Sequence, residues 1–164
     1  MKFSITFILL TLLLTNCMDR EKEYEMMLEG LLDESIPFIS PEELRQLDSS
    51  YVLLDTRSPE EFRVSHIEGG QFVGFDDFTN EHVAGLPRDT TIIVYCSVGY
   101  RSEKVGEKMK ALGFKNIRNL YGGIFAWKNR GLPVVDNNGD PTDSIHAYNK
   151  TWSRWLWNGV KVYD

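Results

Sequence analysis

Apolar residues along this chain fall into short runs that are separated by polar, helix-forming segments. The runs at residues 51–54 and 90–95 are continuous rather than alternating, which is typical of strands buried on both faces of a parallel sheet. Weaker strand patterns cover residues 36–39, 71–75 and 116–120. Because helical patterns stand between these strands, the sequence predicts an α/β fold, with a central, mostly parallel five-stranded sheet flanked by helices.

The helices are marked by capping signals as well as by apolar spacing. Ser40 and Ser58 are each followed by a proline and, three residues after the serine, by Glu43 and Glu61. This order predicts a helix start with a reciprocal capping box. The longest predicted helix covers residues 101–112. Shorter helices are predicted at residues 78–86, 124–129 and 149–157.

An apolar run occupies residues 3–15, close behind Lys2. At about 1.5 Å per residue a helix of this length spans roughly 20 Å, less than the ~30 Å hydrocarbon core of a bilayer. The run ends just before Cys17 and resembles a bacterial lipobox, in which the cysteine is lipidated, although Asn16 stands where a small residue is usual. The pattern predicts a signal peptide over residues 1–17 and lipid attachment at Cys17. An ordinary secretory signal and an uncleaved anchor are the alternatives.

The rest of the chain divides by composition into three parts. Residues 18–35 are charged, with a short amphipathic helical pattern, and are interpreted as a tether and helix. Residues 36–135 contain the predicted sheet and form the main domain. Residues 136–164 begin with a turn-rich stretch and end with many aromatic side chains. We interpret them as an extension packed on the domain, because exposed apolar patches of that size are rare; a partner-binding surface is the alternative.

Composition excludes several classes of function. A chain of 164 residues has room for one ordinary domain, and its formal net charge of −6 disfavours nucleic-acid binding, which rewards positive charge. The histidines show no spacing typical of metal ligands, so we expect neither a metal nor another cofactor.

Two cysteines, Cys17 and Cys96, are present. If Cys17 carries lipid, Cys96 has no partner within the chain, and an unpaired cysteine in an exported protein indicates a reactive thiol or an intermolecular bond. Cys96 follows the predicted strand 90–95 and precedes the longest helix, which places it at the carboxyl edge of the sheet. A buried, inert cysteine is the alternative interpretation.

The residues around Cys96 favour the reactive interpretation. Backbone N–H groups of the loop, the N-terminus of the following helix and the charge of Arg101 all favour thiolate over thiol. Gly99 permits a backbone turn that a side chain would obstruct. The loop is therefore predicted to hold a sulfur anion, or an anion attached to sulfur.

Four motifs, in order along the chain, resemble those of rhodanese-like domains. Residues 53–62 are similar to the family's apolar strand with Asp-x-Arg and Pro-Glu-Glu-aromatic, and residues 66–70 to its His-Ile-x-Gly-Ala, with glycine in place of the usual alanine. Residues 96–102 resemble the active-site loop Cys-x-x-Gly-x-Arg-Ser. Residues 122–127 and 131–134 together are similar to the terminal element Gly-Gly-x-x-x-Trp…Gly-x-Pro-Val. The resemblance implies the rhodanese-like fold for residues 36–135.

The resemblance also implies a sulfurtransferase that needs no cofactor. Cys96 would take a sulfane sulfur from thiosulfate or a persulfide donor and pass it to cyanide or a thiol acceptor. The expected substrate-binding residues are Ser97, Val98, Gly99, Tyr100, Arg101 and Ser102. The expected supporting residues are Asp55, Arg57 and His66. For His66 we favour a structural hydrogen bond over proton transfer.

Three other functions remain open from the sequence. A phosphatase or arsenate reductase of the related fold has a loop one residue longer before its arginine, whereas here Arg101 follows Cys96 after four residues. A rhodanese-like module that only binds a partner would not need Cys96. A disulfide relay is disfavoured because the sequence has no Cys-x-x-Cys. We expect the protein to be an exported lipoprotein that is anchored to a membrane and faces the periplasm or the cell surface.

Overall fold

A computed structural model describes residues 19–163 and divides the chain into two compact units, Met1–Leu31 and Leu32–Asp164. The described part of the first unit is a helix, α1, at residues 19–31, within the segment for which a short amphipathic helix was predicted. The predicted signal peptide and Cys17 lie outside the described residues. Within 19–163, no helix is both long enough and apolar enough to cross a membrane.

The second unit is built on a five-stranded sheet in which every neighbouring pair of strands is parallel. The order across the sheet is β1-β5-β4-β2-β3. The strands are β1 (Phe38–Ile39), β2 (Val52–Asp55), β3 (Gly70–Phe72), β4 (Thr91–Tyr95) and β5 (Asn116–Leu120). The predicted fold class is confirmed, and each predicted strand position holds a strand.

The continuous apolar runs become the interior of this sheet. Ile92, Ile93, Val94 and Tyr95 of β4 are each fully buried, so both faces of the strand are covered. Apolar side chains on both faces are what a strand needs when helices cover a parallel sheet on both sides. Strand β4 lies at the centre of the order, between β5 and β2, and its carboxyl end is therefore surrounded by neighbouring strand ends.

Four helices connect and cover these strands: α2 (Pro41–Arg45), α3 (Pro59–Val64), α4 (Tyr100–Ala111) and α5 (Gly123–Asn129). Both predicted capping boxes form. Ser40 accepts from the backbone of Glu43 and Ser58 from that of Glu61, while each glutamate accepts from the backbone N–H of its serine. These reciprocal bonds satisfy N–H groups at the helix start that have no partner within the helix.

Two predicted helices are much shorter in the structure. Residues 78–86 contain only a 3-10 turn at Asn80–Val83, which is followed by Gly85 and Pro87, residues that do not favour helix extension. Residues 149–157 contain only a 3-10 turn at Trp152–Trp155. That segment is rich in tryptophan and polar residues of low helix propensity.

The C-terminal extension takes part in two small sheets. Its strand β7 (Pro141–Thr142) pairs antiparallel with β6 (Val134–Val135) at the end of the main domain, and its strands β8 (Ser144–His146) and β9 (Val160–Val162) pair parallel with each other. Buried side chains of Ile145 and Leu156 lie within it. The extension also bonds to α5, since the backbone N–H of Trp157 donates to Asn129 Oδ1 at 2.9 Å.

Candidate active site

Cys96 stands at the carboxyl end of β4, where the chain leaves the sheet and turns into α4. It is a free cysteine, and the residue is 1% exposed. The backbone N–H of Gly99 donates to Cys96 Sγ at 3.1 Å. The sulfur therefore lies within its own loop, facing an N–H group that precedes the first turn of a helix, an arrangement that stabilises negative charge on sulfur.

The conformation of Gly99 creates this contact. Its φ of +114° lies in the region that L side chains rarely adopt. The Gly99 carbonyl is fixed from the other side, because Asn119 Nδ2 donates to it at 2.9 Å. The Ser102 hydroxyl lies 3.0 Å from that carbonyl and 2.7 Å from Asn119 Oδ1, and it donates to one of the two. These buried groups hold the peptide that follows Gly99, and so restrain the residue whose own N–H is aimed at sulfur.

Arg101 is engaged by a carboxylate from α3 rather than standing free in the loop. Its Nη1 donates to Glu61 Oε2 at 2.7 Å and its Nη2 to Glu61 Oε1 at 2.8 Å, a two-point ion pair. Ser97 joins the pair, because its hydroxyl donates to Glu61 Oε1 at 2.7 Å and accepts from Arg101 Nη2 at 3.0 Å. The loop is thus tied to α3 through both its second residue and its arginine.

The ion pair sets the charge state of Glu61 beside Arg101. Burial alone would raise the pKa of Glu61, but hydrogen bonds and charge from Arg101, with a further contribution from Arg57, hold it at about 2. Glu61 is therefore ionised and offsets the charge of Arg101. The hydrogen bonds to Glu61 and Ser97 hold Arg101 and tie the loop to α3. The expected role of Arg101 in binding an anionic donor stays a prediction.

The floor of the loop is the start of α5. The backbone N–H of Ile124 donates to the Cys96 carbonyl at 2.9 Å, and that of Phe125 donates to the Ser97 carbonyl at 3.1 Å. Gly123 makes this approach possible. A Cβ added to it would lie 2.3 Å from the Cys96 oxygen, and its φ is +56°. The N–H groups at the start of α5, which have no partner within the helix, thus bind the loop carbonyls.

Asp55 and Arg57 form a second, fully buried ion pair at the end of β2. Arg57 Nη2 donates to Asp55 Oδ2 at 2.7 Å and to the Ser65 carbonyl at 2.6 Å. In the register of β2 with β4, Asp55 lies opposite Tyr95, the residue that immediately precedes Cys96. Burial and the charge of Asp55 raise the pKa of Tyr95, whose ring also lies under the Arg57 guanidinium. The cluster therefore lies beside Cys96, at the neighbouring carboxyl ends of β2 and β4.

The remaining predicted site residues differ in their surroundings. Val98 is buried, whereas Tyr100 is 43% exposed at the first position of α4. His66 stacks on Phe62 with ring centroids 4.0 Å apart, and its Nδ1 lies 3.3 Å from the Phe62 carbonyl oxygen. Its backbone also pairs with Val135. These contacts describe a histidine that joins α3 to the C-terminal part of the domain.

The profile of the Rhodanese-like domain family matches residues 40–130 of this chain, which include the whole loop and its floor. The chain belongs to the rhodanese-like domain family. Clusters of three or more His, Cys, Asp or Glu side chains with metal-binding geometry do not occur within residues 19–163.

Relatives of this rhodanese-like chain include enzymes named for sulfur transfer. It is 38% identical over 99 residues to the probable adenylyltransferase/sulfurtransferase MoeZ of Mycobacterium tuberculosis, a match that covers 58% of this chain and 25% of that protein. It is 32% identical over 110 residues to thiosulfate sulfurtransferase 18 of Arabidopsis thaliana, covering 58% of this chain and 80% of that protein. The chain thus spans a quarter of the length of the first relative and most of the second.

A solved structure agrees with the fold. The crystal structure of a rhodanese-like domain protein from Staphylococcus aureus is 27% identical and superposes with a TM-score of 0.53, covering 59% of this chain and 96% of that one. The family match at residues 40–130 does not include the aromatic extension at residues 136–164.

No site role was predicted from the sequence for three residues that the structure places around Cys96: Glu61, Asn119 and Gly123. Glu61 and Gly123 stand in motifs that the sequence does reveal. The sequence predicts a capping role for Glu61. Its carboxylate does cap α3, and it also binds Arg101. The signal available in the sequence was its place in the Pro-Glu-Glu-aromatic motif. Its exposure of 1%, which requires a cationic partner, is seen only in the structure. Asn119 carries no such signal, because an asparagine within a strand is uninformative until the strand order is known.

The Glu61–Arg101 pair predicts acid sensitivity of the rhodanese-like fold. Because the pKa of Glu61 is about 2 when folded, against an ordinary 4.5, its contribution is present above about pH 4.5 and is lost as pH falls towards 2. The shift corresponds to about 3 kcal/mol in the free energy of unfolding. We expect Glu61→Gln to be destabilised at pH 7 and to lose less stability than wild type between about pH 5 and 3, measured by urea denaturation.

Glu60→Gln is the matched control for this measurement. Glu60 is the preceding residue, and its side chain is 52% exposed in a surface pair with Arg63. Surface pairs of this kind contribute little, so this variant should keep the wild-type dependence on pH. Identical acid slopes for wild type and Glu61→Gln would contradict the assignment of the depressed pKa to Glu61.

Proposed function

We propose that this protein is a sulfurtransferase in which Cys96 carries a sulfane sulfur as a persulfide. The observation that carries the proposal is the N–H of Gly99 donating to Cys96 Sγ at 3.1 Å, in a loop that opens onto a helix N-terminus. A thiolate held in this way is both a nucleophile and a leaving group, and a two-step transfer needs both properties. The relatives named for sulfur transfer add support.

The proposed reaction consists of two displacements at sulfur. In the first, the Cys96 thiolate attacks the outer sulfur of thiosulfate, the sulfur–sulfur bond of the donor breaks, and sulfite leaves with the electron pair. In the second, cyanide or a thiolate attacks the outer sulfur of the persulfide, and the Cys96 thiolate leaves. A persulfide donor follows the same course and releases a thiolate. The electron pairs balance at each step, so no external oxidant or reductant is needed.

In this proposal, residues around the loop fix its conformation before a donor binds. Glu61 and Ser97 hold Arg101, and the Gly99 carbonyl is held by Asn119, so the N–H groups of the loop are fixed before a donor arrives. Preorganised donors of this kind stabilise developing negative charge more effectively than mobile ones do.

The occupied guanidinium also argues against the phosphatase alternative. A phosphate-binding loop needs an arginine whose paired N–H groups face the oxyanion. Here those N–H groups donate to the two oxygens of Glu61. Only four residues separate Cys96 from Arg101, which leaves less room for a tetrahedral anion. A module that binds a partner without catalysis is the main competing function, and the following experiment separates it from sulfur transfer.

The test is intact-mass analysis of the purified protein after incubation with thiosulfate. We expect a gain of one sulfur atom, located on the Cys96 peptide and removed by cyanide with formation of thiocyanate. Trying an alkyl persulfide in parallel covers the second donor class. If neither donor adds sulfur to Cys96 in a folded protein, the proposed function is wrong and the binding module is favoured.

We further propose that the protein is exported and anchored to a membrane through lipid on Cys17, facing the periplasm or the cell surface. The short apolar run before Cys17 motivates this proposal. Two or more acyl chains hold a protein firmly on a bilayer. Cys17→Ser should leave the membrane fraction or accumulate as an unprocessed precursor, as judged by fractionation and immunoblotting. A wild-type protein with an unmodified Cys17 thiol would refute the lipoprotein proposal.

A further inference from the structure

The C-terminal extension places one aromatic side chain on the arginine of the active-site loop. The ring centroid of Tyr148 lies 5.2 Å from Arg101 Cζ, within the range of a cation–π contact. Tyr148 lies beyond the family match at residues 40–130. The contact therefore joins the rhodanese-like loop to a segment that the family does not define.

The backbone at Tyr148 is strained. Its φ is +63°, an uncommon value for a non-glycine residue, and the N–H of Asn149 donates to the Ala147 carbonyl at 2.8 Å across it. A three-residue turn with positive φ at its centre is the rare, strained form of the γ-turn. Strain of this kind persists only where the surroundings impose it, and it is concentrated at functional sites.

The surroundings of Tyr148 impose the turn from both sides. The Tyr148 N–H donates to His146 Nδ1 at 3.2 Å, and the Ala147 N–H donates to the Val162 carbonyl of β9 at 2.8 Å. On the other side, Asn149 Oδ1 accepts from the N–H of Trp152 at 3.1 Å. The extension thus uses β8, β9 and its 3-10 turn to hold this one ring over the loop.

The ring covers the side of Arg101 that Glu61 leaves open. Glu61 binds the Nη1 and Nη2 edge of the guanidinium, and Tyr148 lies over its Cζ. The Arg101 side chain is 19% exposed, whereas Tyr148 is 49% exposed. An anion that approaches this side of the guanidinium from solvent therefore meets the tyrosine ring where it would otherwise meet Arg101.

We propose that Tyr148 is a specificity-determining residue of the Cys96 site, which disfavours multiply charged anions relative to donors that carry a single negative charge or none. For sulfur transfer the class favoured is the alkyl persulfides, and the class disfavoured is the thiosulfate dianion. The assignment to sulfur donors rests on the proposed function. The shielding of Arg101 should affect the access of any anion to the Cys96 thiol, whether or not that anion donates sulfur.

The first experiment compares iodoacetate with iodoacetamide, two alkylating probes of nearly equal size that differ by one negative charge. Second-order rate constants are measured on the Cys96 peptide of the full-length protein by mass spectrometry. We expect Tyr148→Ala to raise the iodoacetate-to-iodoacetamide ratio about threefold, because the removal of a cation–π partner exposes Arg101. An unchanged or lower ratio would overturn the proposal, whether or not the protein transfers sulfur.

Matched variants separate the ring from other effects. Tyr148→Phe keeps the ring and should keep the wild-type ratio. Tyr163→Ala removes a tyrosine of similar exposure, 42%, that lies with Arg63 and Val64 beside α3, and should also leave the ratio unchanged. In an Arg101→Ala background, Tyr148→Ala should no longer change the ratio, since the two residues act through one contact. A rise in that background would overturn the proposal.

The second experiment tests the effect of Tyr148 on sulfur donors of different charge. Thiosulfate, a dianion, is compared with methanethiosulfonate, a monoanion of similar shape, with cyanide as the common acceptor. Tyr148→Ala should raise kcat/KM for thiosulfate more than for methanethiosulfonate, by about threefold in the ratio. Equal changes for both donors would overturn the assignment to donor charge. Wild type that acquires no sulfur would instead refute the proposed function, and the alkylation ratio would still decide the role of Tyr148.

Discussion

A Cys96→Ser protein is expected to fold normally and to transfer no sulfur. A serine hydroxyl is not ionised near neutral pH and forms no persulfide, so the rate should fall at least about 10³-fold, to the background of the assay. The side chain is buried, but the Gly99 N–H that donates to sulfur can donate to the serine oxygen instead. We therefore expect the free energy of unfolding to change by no more than about 1 kcal/mol.

Thiocyanate formation from thiosulfate and cyanide measures the loss, and urea denaturation verifies the fold. Cys17→Ser is the control because it removes the other cysteine of the chain, and its activity should equal that of wild type. Residual sulfur transfer by Cys96→Ser above background would show that another residue carries the sulfur.

The largest expected effect on stability is that of Gly123→Ala. A Cβ at this position would lie 2.3 Å from the Cys96 oxygen and 2.7 Å from the carbonyl carbon of Ser97, both of them backbone atoms. The chain cannot move them without breaking the bonds from Ile124 and Phe125 that form the floor of the loop. Overpacking costs about 1–3 kcal/mol and the positive φ about 1–2 more, so we expect a loss of about 2–5 kcal/mol.

Gly139→Ala separates the two causes. Gly139 also has a positive φ, +85°, but an added Cβ meets no atom within 4 Å. It should lose only the part due to backbone conformation, about 1–2 kcal/mol, and should keep full sulfur transfer. Gly123→Ala should lose sulfur transfer even in conditions where it is folded, because the clash moves Cys96 itself. Equal losses for both variants in stability and activity would contradict this account of the floor.

The sequence by itself determined the features that depend on neighbours along the chain. Three such features were predicted and occur in the structure: the strands at 51–54 and 90–95, the capping boxes at Ser40 and Ser58, and the loop that places Cys96 between β4 and α4. Strand burial, helix caps and a strand-loop-helix connection are local, so a short window of residues contains the information that specifies them.

The two helix predictions that failed also rested on local patterns, but on weak ones. Residues 78–86 and 149–157 have apolar side chains at spacings compatible with a helix, yet each forms only a 3-10 turn. Short helices draw most of their stability from packing, so their length is decided by neighbours that the sequence does not reveal.

Tertiary structure alone decided which partners meet at Cys96. Glu61 and Arg101 stand 40 residues apart in the chain, and Asn119 stands 20 residues from Gly99. They meet because the order β1-β5-β4-β2-β3 sets β4 between β5 and β2, and parallel strands bring their carboxyl ends to one edge. Whether Arg101 is a free charge or a paired one, and whether Tyr148 covers it, depends on distances between elements. A charge in the sequence has no fixed strength until burial and partners are known.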